Sequence, residues 1–305
     1  MVDFRYHLVS LVSVFMALAV GIVLGAGPLK APIGDSLQSQ VDSLRTDRDK
    51  LRQEGEVKDA HLKDDSDFII AAAPRLLKGS LKGKTIALVR TQGVDSKLVD
   101  ALENRLGEAG AKVVQAMTLT DKTLDEQAAT DLTEQLHTID STLPDDAAQA
   151  VPLAMAKAVG FGSGSAKSLD AEKAAGLQKA LGDSGIIRAG DTVKANGALV
   201  VLPQQDATGP DGDSAALDMG DGADLSVDVA GLLPSAAAAP ERGDQDGQLA
   251  TLRSRAQQLT TVDSLEQATG PVIATLALAD LLGGGRAGAY GFGAQASRLA
   301  PGFSR

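Results

Sequence analysis

The chain has 305 residues, 44% of them hydrophobic, a formal net charge of −11, and no cysteine or tryptophan. Its length and apolar content fill the core of one large or two modest domains, while the acidic balance and the lack of any basic stretch exclude a phosphate-binding nucleic-acid surface. The missing cysteines exclude disulfides, thiolate metal sites, iron–sulfur clusters and thiol nucleophiles.

Residues 1–7, MVDFRYH, are a short flank to the uncharged run at 8–29, LVSLVSVFMALAVGIVLGAGPL. About 20 apolar residues at 1.5 Å per residue cross a hydrocarbon core of about 30 Å, and a helix satisfies its own N–H and C=O groups in the lipid bilayer. The run reads as an uncleaved signal anchor. In the rival reading, a cleaved signal peptide, the apolar part is usually about 7–15 residues behind a more basic lead, and cleavage falls near Ala26-Gly27. Small residues recur every fourth position at Ser13, Ala17, Gly21 and Gly25. Such a row lets a second helix approach closely, although Gly and Ala are also simply frequent in membrane spans. No ionisable residue lies between His7 and Lys30, so one such helix offers an ion neither ligand nor polar path. Only Arg5 precedes the span, while Lys30, Arg45, Arg48 and Lys50 follow it. Long domains translocate largely regardless of such charges, and the expected topology is single-pass, with the large C-terminal domain extracytoplasmic.

Pro28, Pro32 and Gly34 end the span, and Asp35 or Ser36 can cap a new helix. Residues 35–65 then read as a coiled-coil stalk. Alternate steps of four and three select Leu37, Val41, Leu44, Arg48, Leu51, Gly55, Lys58 and Leu62, between nearly all charged or amide residues. The seam is good through Leu51 and degrades at Gly55 and Lys58, which predicts a frayed or broken continuation. A single solvated helix is the plain alternative.

Residues 78–292 read as an α/β domain. Strands are expected at 85–90, 111–117, 198–203 and 259–263, and helices over 94–110, 125–139, 145–159, 169–181, 248–258 and 272–282. Strand, helix, strand with short apolar strands predicts an open, mostly parallel Rossmann- or flavodoxin-like sheet with helices on both faces, and 198–203 as a central strand. Pro271 suits a first helical turn. Residues 204–247 are dominated by Asp, Gly, Ala, Ser and Pro and read as irregular, with one embedded element at 225–233. Residues 293–305 read as a mobile tail.

Few residues carry recognisable chemistry. The string Gly283-Gly284-Gly285-Arg286-Ala287-Gly288 matches GxGxxG but follows a helix, whereas the dinucleotide fingerprint needs a strand before it and a helix after it. Asp211, Asp213, Asp218, Asp221 and Asp224 lack the ligand order of an EF-hand and read as a solvated loop. His7, His61 and His137 are far apart, and Met1, Met16, Met117, Met155 and Met219 form no cluster, so no soft-metal site is recognisable. Asp263, at the end of a strand, is the candidate ligand-site position, because open α/β sheets bind ligands beyond strand C-termini. A capping or turn role is the plainer reading of the same residue.

The opening MVDFRYHLVSLVSVFMALAVGIVLGAGPL, the heptad stalk, the strand after LKGK and the C-terminal TVDSLEQATGPVIATLALADLL with GAYG resemble the actinobacterial MctB family, also called SteB, of copper transport outer-membrane proteins. The resemblance implies a cell-envelope protein connected with copper handling, often with a co-encoded envelope partner. Copper comes from the resemblance only, since no cofactor is evident in the residues, and the family's usual histidine before the Tyr-Gly is Ala289 here. A barrel needs at least eight alternating strands and aromatic girdles, and the chain shows one apolar helix and an α/β pattern. The expectation is a homodimeric, membrane-anchored, non-catalytic scaffold or sensing module linked to copper efflux, homeostasis and envelope maintenance. The alternatives are a direct copper transport component and an envelope enzyme acting near Asp263.

Overall fold

The computed structural model describes residues 4–26, 31–120, 126–160, 169–192, 194–202, 228–230, 232, 235–239, 248–255, 259–293 and 295–302. The chain divides into two units, Met1–Asp65 and Ser66–Arg305. The first is helical. Helix α1 spans Phe4–Ala26, and α2 spans Ala31–Leu77, its last turns belonging to the second unit. α1 thus starts four residues before the expected span. α2 starts before the expected cap at Asp35 or Ser36, because Pro32 fits a first turn, where its missing N–H costs nothing.

α2 also departs from the expected break at Gly55. The helix passes through Gly55 and ends at Leu77, so the single glycine, costing about 1 kcal/mol, is outweighed by the helix on either side. Pro74 lies inside it. A proline cannot donate to the carbonyl four residues back, and in its place the Arg105 guanidinium donates to Ile70 O at 3.4 Å.

In the second unit, strands β1 (Thr85–Thr91), β2 (Lys112–Leu119), β3 (Ile187–Ala189), β4 (Gly197–Val201), β5 (Ser235–Ala238), β6 (Thr260–Val262) and β7 (Ala289–Tyr290) form one sheet in the order β3-β2-β1-β4-β5-β6-β7. All neighbours are parallel except β2 and β3. Read by number, the order is that of the doubly wound dinucleotide fold extended by β7, with β3 reversed. β4 is central, as its apolar run suggested. β3 and β5 were not legible as strands. β5 is Ser-Ala-Ala-Ala, a poor strand sequence by propensity, which is fully buried between β4 and β6.

The helices are α3 (Ser96–Glu108), α4 (Glu126–Ile139), α5 (Ala147–Val159), α6 (Ala171–Asp183), α7 (Gln248–Arg255) and α8 (Gly270–Leu282). The carboxylates of Asp95, Asp146 and Asp170 accept from backbone N–H groups in the first turns of α3, α5 and α6 and so fix where those helices begin. Strand alternation sorts the core into two layers. Ala87, Val89 and Val200 pack with Leu136, Met155, Leu177 and Leu252 on one face. Ile86, Leu88 and Leu199 pack with Leu77, Leu102, Leu106 and Leu278 on the other.

Residues 295–302, expected to belong to a mobile tail, instead return to the sheet. Arg298 bridges to Tyr290, and Ala296 and Ala300 are buried. Their backbone covers the outer edge of β7: Gly291 N–H donates to the carbonyls of Arg298 and Leu299, both at 3.2 Å, and Ser297 N–H donates to Ala289 O at 2.9 Å. An unpaired strand edge in need of partners gives the physical reason.

Candidate functional site

Among the described residues one helix, over Arg5–Gly25, is long and apolar enough to cross a membrane. Its row of small residues is open. A Cβ built on Gly21 or Gly25 meets nothing within 4 Å, and the Ser13 hydroxyl is turned back on Val9 O at 2.9 Å. The α2 seam is equally uncovered in the single chain, with Leu37 56%, Val41 41%, Leu44 68% and Leu51 68% exposed. Four large exposed apolar side chains thus recur along one stripe of a solvated helix, interrupted by Arg48, a pattern that suits an interaction surface.

Asp263 follows β6 and is completely buried. Its carboxylate is consumed by the fold: it accepts from the Ser264 hydroxyl at 2.8 Å, from Phe292 N–H at 2.7 Å and from Gly293 N–H at 3.1 Å, and it pairs with the Arg253 guanidinium at 3.0 Å. Arg253, delivered by α7, also donates to the Thr261 hydroxyl at 2.9 Å and Tyr290 O at 3.2 Å. The node ties α7, β6 and the turn after β7 together. Gly291 has φ 123°, and a Cβ there would lie 2.2 Å from Asp263 Oδ1, so only glycine fits beside the carboxylate. A general base must reach its substrate proton, and this carboxylate has neither a free lone pair nor solvent access.

Sequence reasoning missed Arg253, whose partner lies ten residues away in sequence and on a different element.

The fold's customary ligand position, the first βα turn, is occupied differently. Between β1 and α3 the chain reads Gln92-Gly93-Val94-Asp95, and Asp95 accepts from Lys97 N–H at 2.9 Å. A carboxylate thus stands at the helix N-terminus where a pyrophosphate would otherwise sit. Beside it runs a groove of about 470 Å³, lined by Val94, Lys97, Leu98 and Asn104 on one side and by Gln267 and Pro271 on the other. No hydroxyl, thiol or imidazole is among its described lining residues. The glycine string at 283–288 connects α8 to β7, a helix to a strand, the reverse of the order that dinucleotide binding requires.

A second buried ion pair lies in the helical layer. Lys157 of α5, 5% exposed, meets Asp140 at 2.5 Å and the Thr142 hydroxyl at 2.6 Å. Burial opposes the charged form of Asp140, but the hydrogen bonds from Lys157 and Thr142, together with the lysine charge, hold its pKa below the ordinary carboxylate value. The sequence signal for this pair was a lone lysine in the apolar helix AAQAVPLAMAKAV. His137 lies nearby, its Nε2–H donating to Pro144 O at 2.7 Å.

Among the described residues no group of three or more His, Cys, Asp and Glu is placed to hold a metal ion. His7 and His61 lie on the exposed faces of α1 and α2, and Met117 and Met155 are buried in the core. The acidic run at 211–224, Met1 and Met219 lie outside the described residues.

The family model described as "Copper transport outer membrane protein, MctB" matches residues 1–301. The chain is 26% identical over 312 residues to the copper transporter MctB of Mycobacterium tuberculosis, covering 96% of this chain and 97% of that protein. It is 27% identical over 329 residues to the copper transporter MctB of Mycobacterium leprae, covering 98% and 99%. The membrane-length first helix and the α/β unit are therefore those of a member of the MctB copper transport outer membrane protein family, to which this chain belongs.

Proposed function

We propose that the chain is a homodimeric, membrane-anchored scaffold or sensing module of the cell envelope, linked to copper efflux and homeostasis without catalysing a reaction, with its α/β unit outside the cytoplasm. The observation that carries this reading is the pairing of two uncovered helical surfaces, the small-residue row of α1 and the apolar seam of α2. The seam asks for a partner, and small-residue rows suit helix contacts in lipid. The scaffold reading is supported by the committed state of Asp263 and by Asp95 capping the first βα turn. A co-encoded envelope protein remains a natural partner for the α/β unit.

Copper transport in the relatives' names motivates one test. Titration of the purified full-length protein in detergent with Cu(I), under a competing chelator, gives no stoichiometric uptake on the scaffold reading. One equivalent bound at micromolar or tighter affinity would instead make the chain a direct copper carrier. A reporter fused after Arg305 and assayed on both sides of the membrane is active only outside.

A further inference from the structure

We infer that the α2 stalk pairs with a second copy of this chain in parallel and in register, that the apolar layers around Arg48 set that register, and that Asp47 and Arg52 pair across the two chains. This rests on the homodimer reading above and goes beyond it by naming the side chains that choose direction and alignment. In the heptad frame Val41, Arg48, Gly55 and Leu62 fall at a positions, and Leu37, Leu44, Leu51 and Lys58 at d. A β-branched residue at a with leucine at d favours two parallel strands, and one polar a residue specifies alignment at a cost in stability. Arg48 is that residue.

In the parallel, in-register alignment the flanking g and e positions bring opposite charges together beside the Arg48 layer. In a parallel dimer each g residue meets the e residue of the partner's next heptad. That places Gln40 against the partner's Arg45 and Asp47 against the partner's Arg52, and brings Arg48 beside the partner's Asp47. Within the single chain Asp47 forms no ion pair among the described residues, whereas Arg48 reaches Asp49 at 2.5 Å and Arg52 reaches Glu56 at 3.0 Å. Those contacts are more than half exposed on both sides, so exchanging them for interchain pairs costs little.

One heptad further, Glu54 meets the partner's Asp59, a like-charge contact, while Gly55 and Lys58 occupy the next a and d positions. These positions end the pairing after the Leu51 layer. A register slipped by one heptad keeps only the Leu37–Leu44 and Leu44–Leu51 layers wholly apolar, in place of the like-with-like layers of Leu37, Val41, Leu44 and Leu51, and sets Val41 against the partner's Arg48 and Leu51 against the partner's Lys58. An antiparallel arrangement loses the g-to-e pairs altogether.

The chain contains no cysteine, so single cysteines in the full-length protein in membranes, bridged by a short bis-maleimide, read the alignment directly. Val41→Cys, Leu44→Cys and Leu51→Cys each cross-link to their own copy, and Thr46→Cys, on the outer face, does so at least about fivefold less. In the Leu44→Cys background, Asp47→Arg or Arg52→Asp alone lowers cross-linking by about fivefold, and the two together restore it. Residues five apart on one helix are about 140° apart around its axis, so restoration requires two chains. Equal cross-linking at Thr46→Cys, or reversal without restoration, overturns the register assignment while the dimer stands. No cross-link at any a or d position overturns the homodimer reading itself.

Discussion

Asp263→Ala should destabilise the fold rather than silence a reaction. The substitution removes the acceptor for the Phe292 and Gly293 N–H groups and for the Ser264 hydroxyl, and it strands a guanidinium whose side chain is 8% exposed. Breaking a buried pair from one side costs about 3–5 kcal/mol, because the remaining charge stays desolvated. Arg253 keeps its bonds to Thr261 and Tyr290 O, which places the loss toward the lower end of that range. For a unit of this size about 3 kcal/mol corresponds to about 6–12 °C in melting temperature. Asp263→Asn retains one acceptor oxygen but turns an amide donor toward other donors, so it falls between the two at about 1–3 kcal/mol. Urea unfolding of the full-length protein in detergent, followed by circular dichroism, measures both changes. A loss below about 1 kcal/mol for Asp263→Ala, accompanied by an abolished copper phenotype, would refute the structural role and return Asp263 to the candidate catalytic groups.

The buried pair in the helical layer makes a parallel case. Lys157→Met leaves Asp140 charged and buried and should cost about 3–5 kcal/mol, whereas Asp140→Asn with Lys157→Met should recover most of it; equal losses in single and double variants would contradict the pairing. The Asp140 pKa is lowered by folding, so its contribution is present above the ordinary value of 3.8 and lost as pH falls through the folded value. Urea midpoints should therefore decline below about pH 4 in the native protein, and less in the double variant. Replacing Leu44 and Leu51 together by Asp should give monomers in sedimentation, since two carboxylates would enter the seam. A persistent dimer would move the interface elsewhere.

What the sequence alone determined was everything set by local periodicity. An uncharged stretch of membrane length can only be helical in lipid, steps of four and three read as a seam, and alternation between apolar strands and amphipathic helices fixed the α/β class with β1, α3, β2 and the central β4. These features depend on which face of an element is apolar, and a chain states that within a few residues.

Tertiary structure decided the rest. β5 is a strand because β4 and β6 pair with both of its edges and its alanines enter the core layers on both faces of the sheet, a context no alanine run announces. Pro74 is tolerated because Arg105, from another helix, donates to the carbonyl that the proline cannot serve. The tail folds back because β7 leaves an edge unpaired. Asp263 stood out in the sequence as a strand-end carboxylate, but its partners lie ten, 29 and 30 residues away on other elements. Periodicity identifies which side chain is buried; the fold alone chooses the groups it meets there, and for Asp263 those groups leave no lone pair for a ligand.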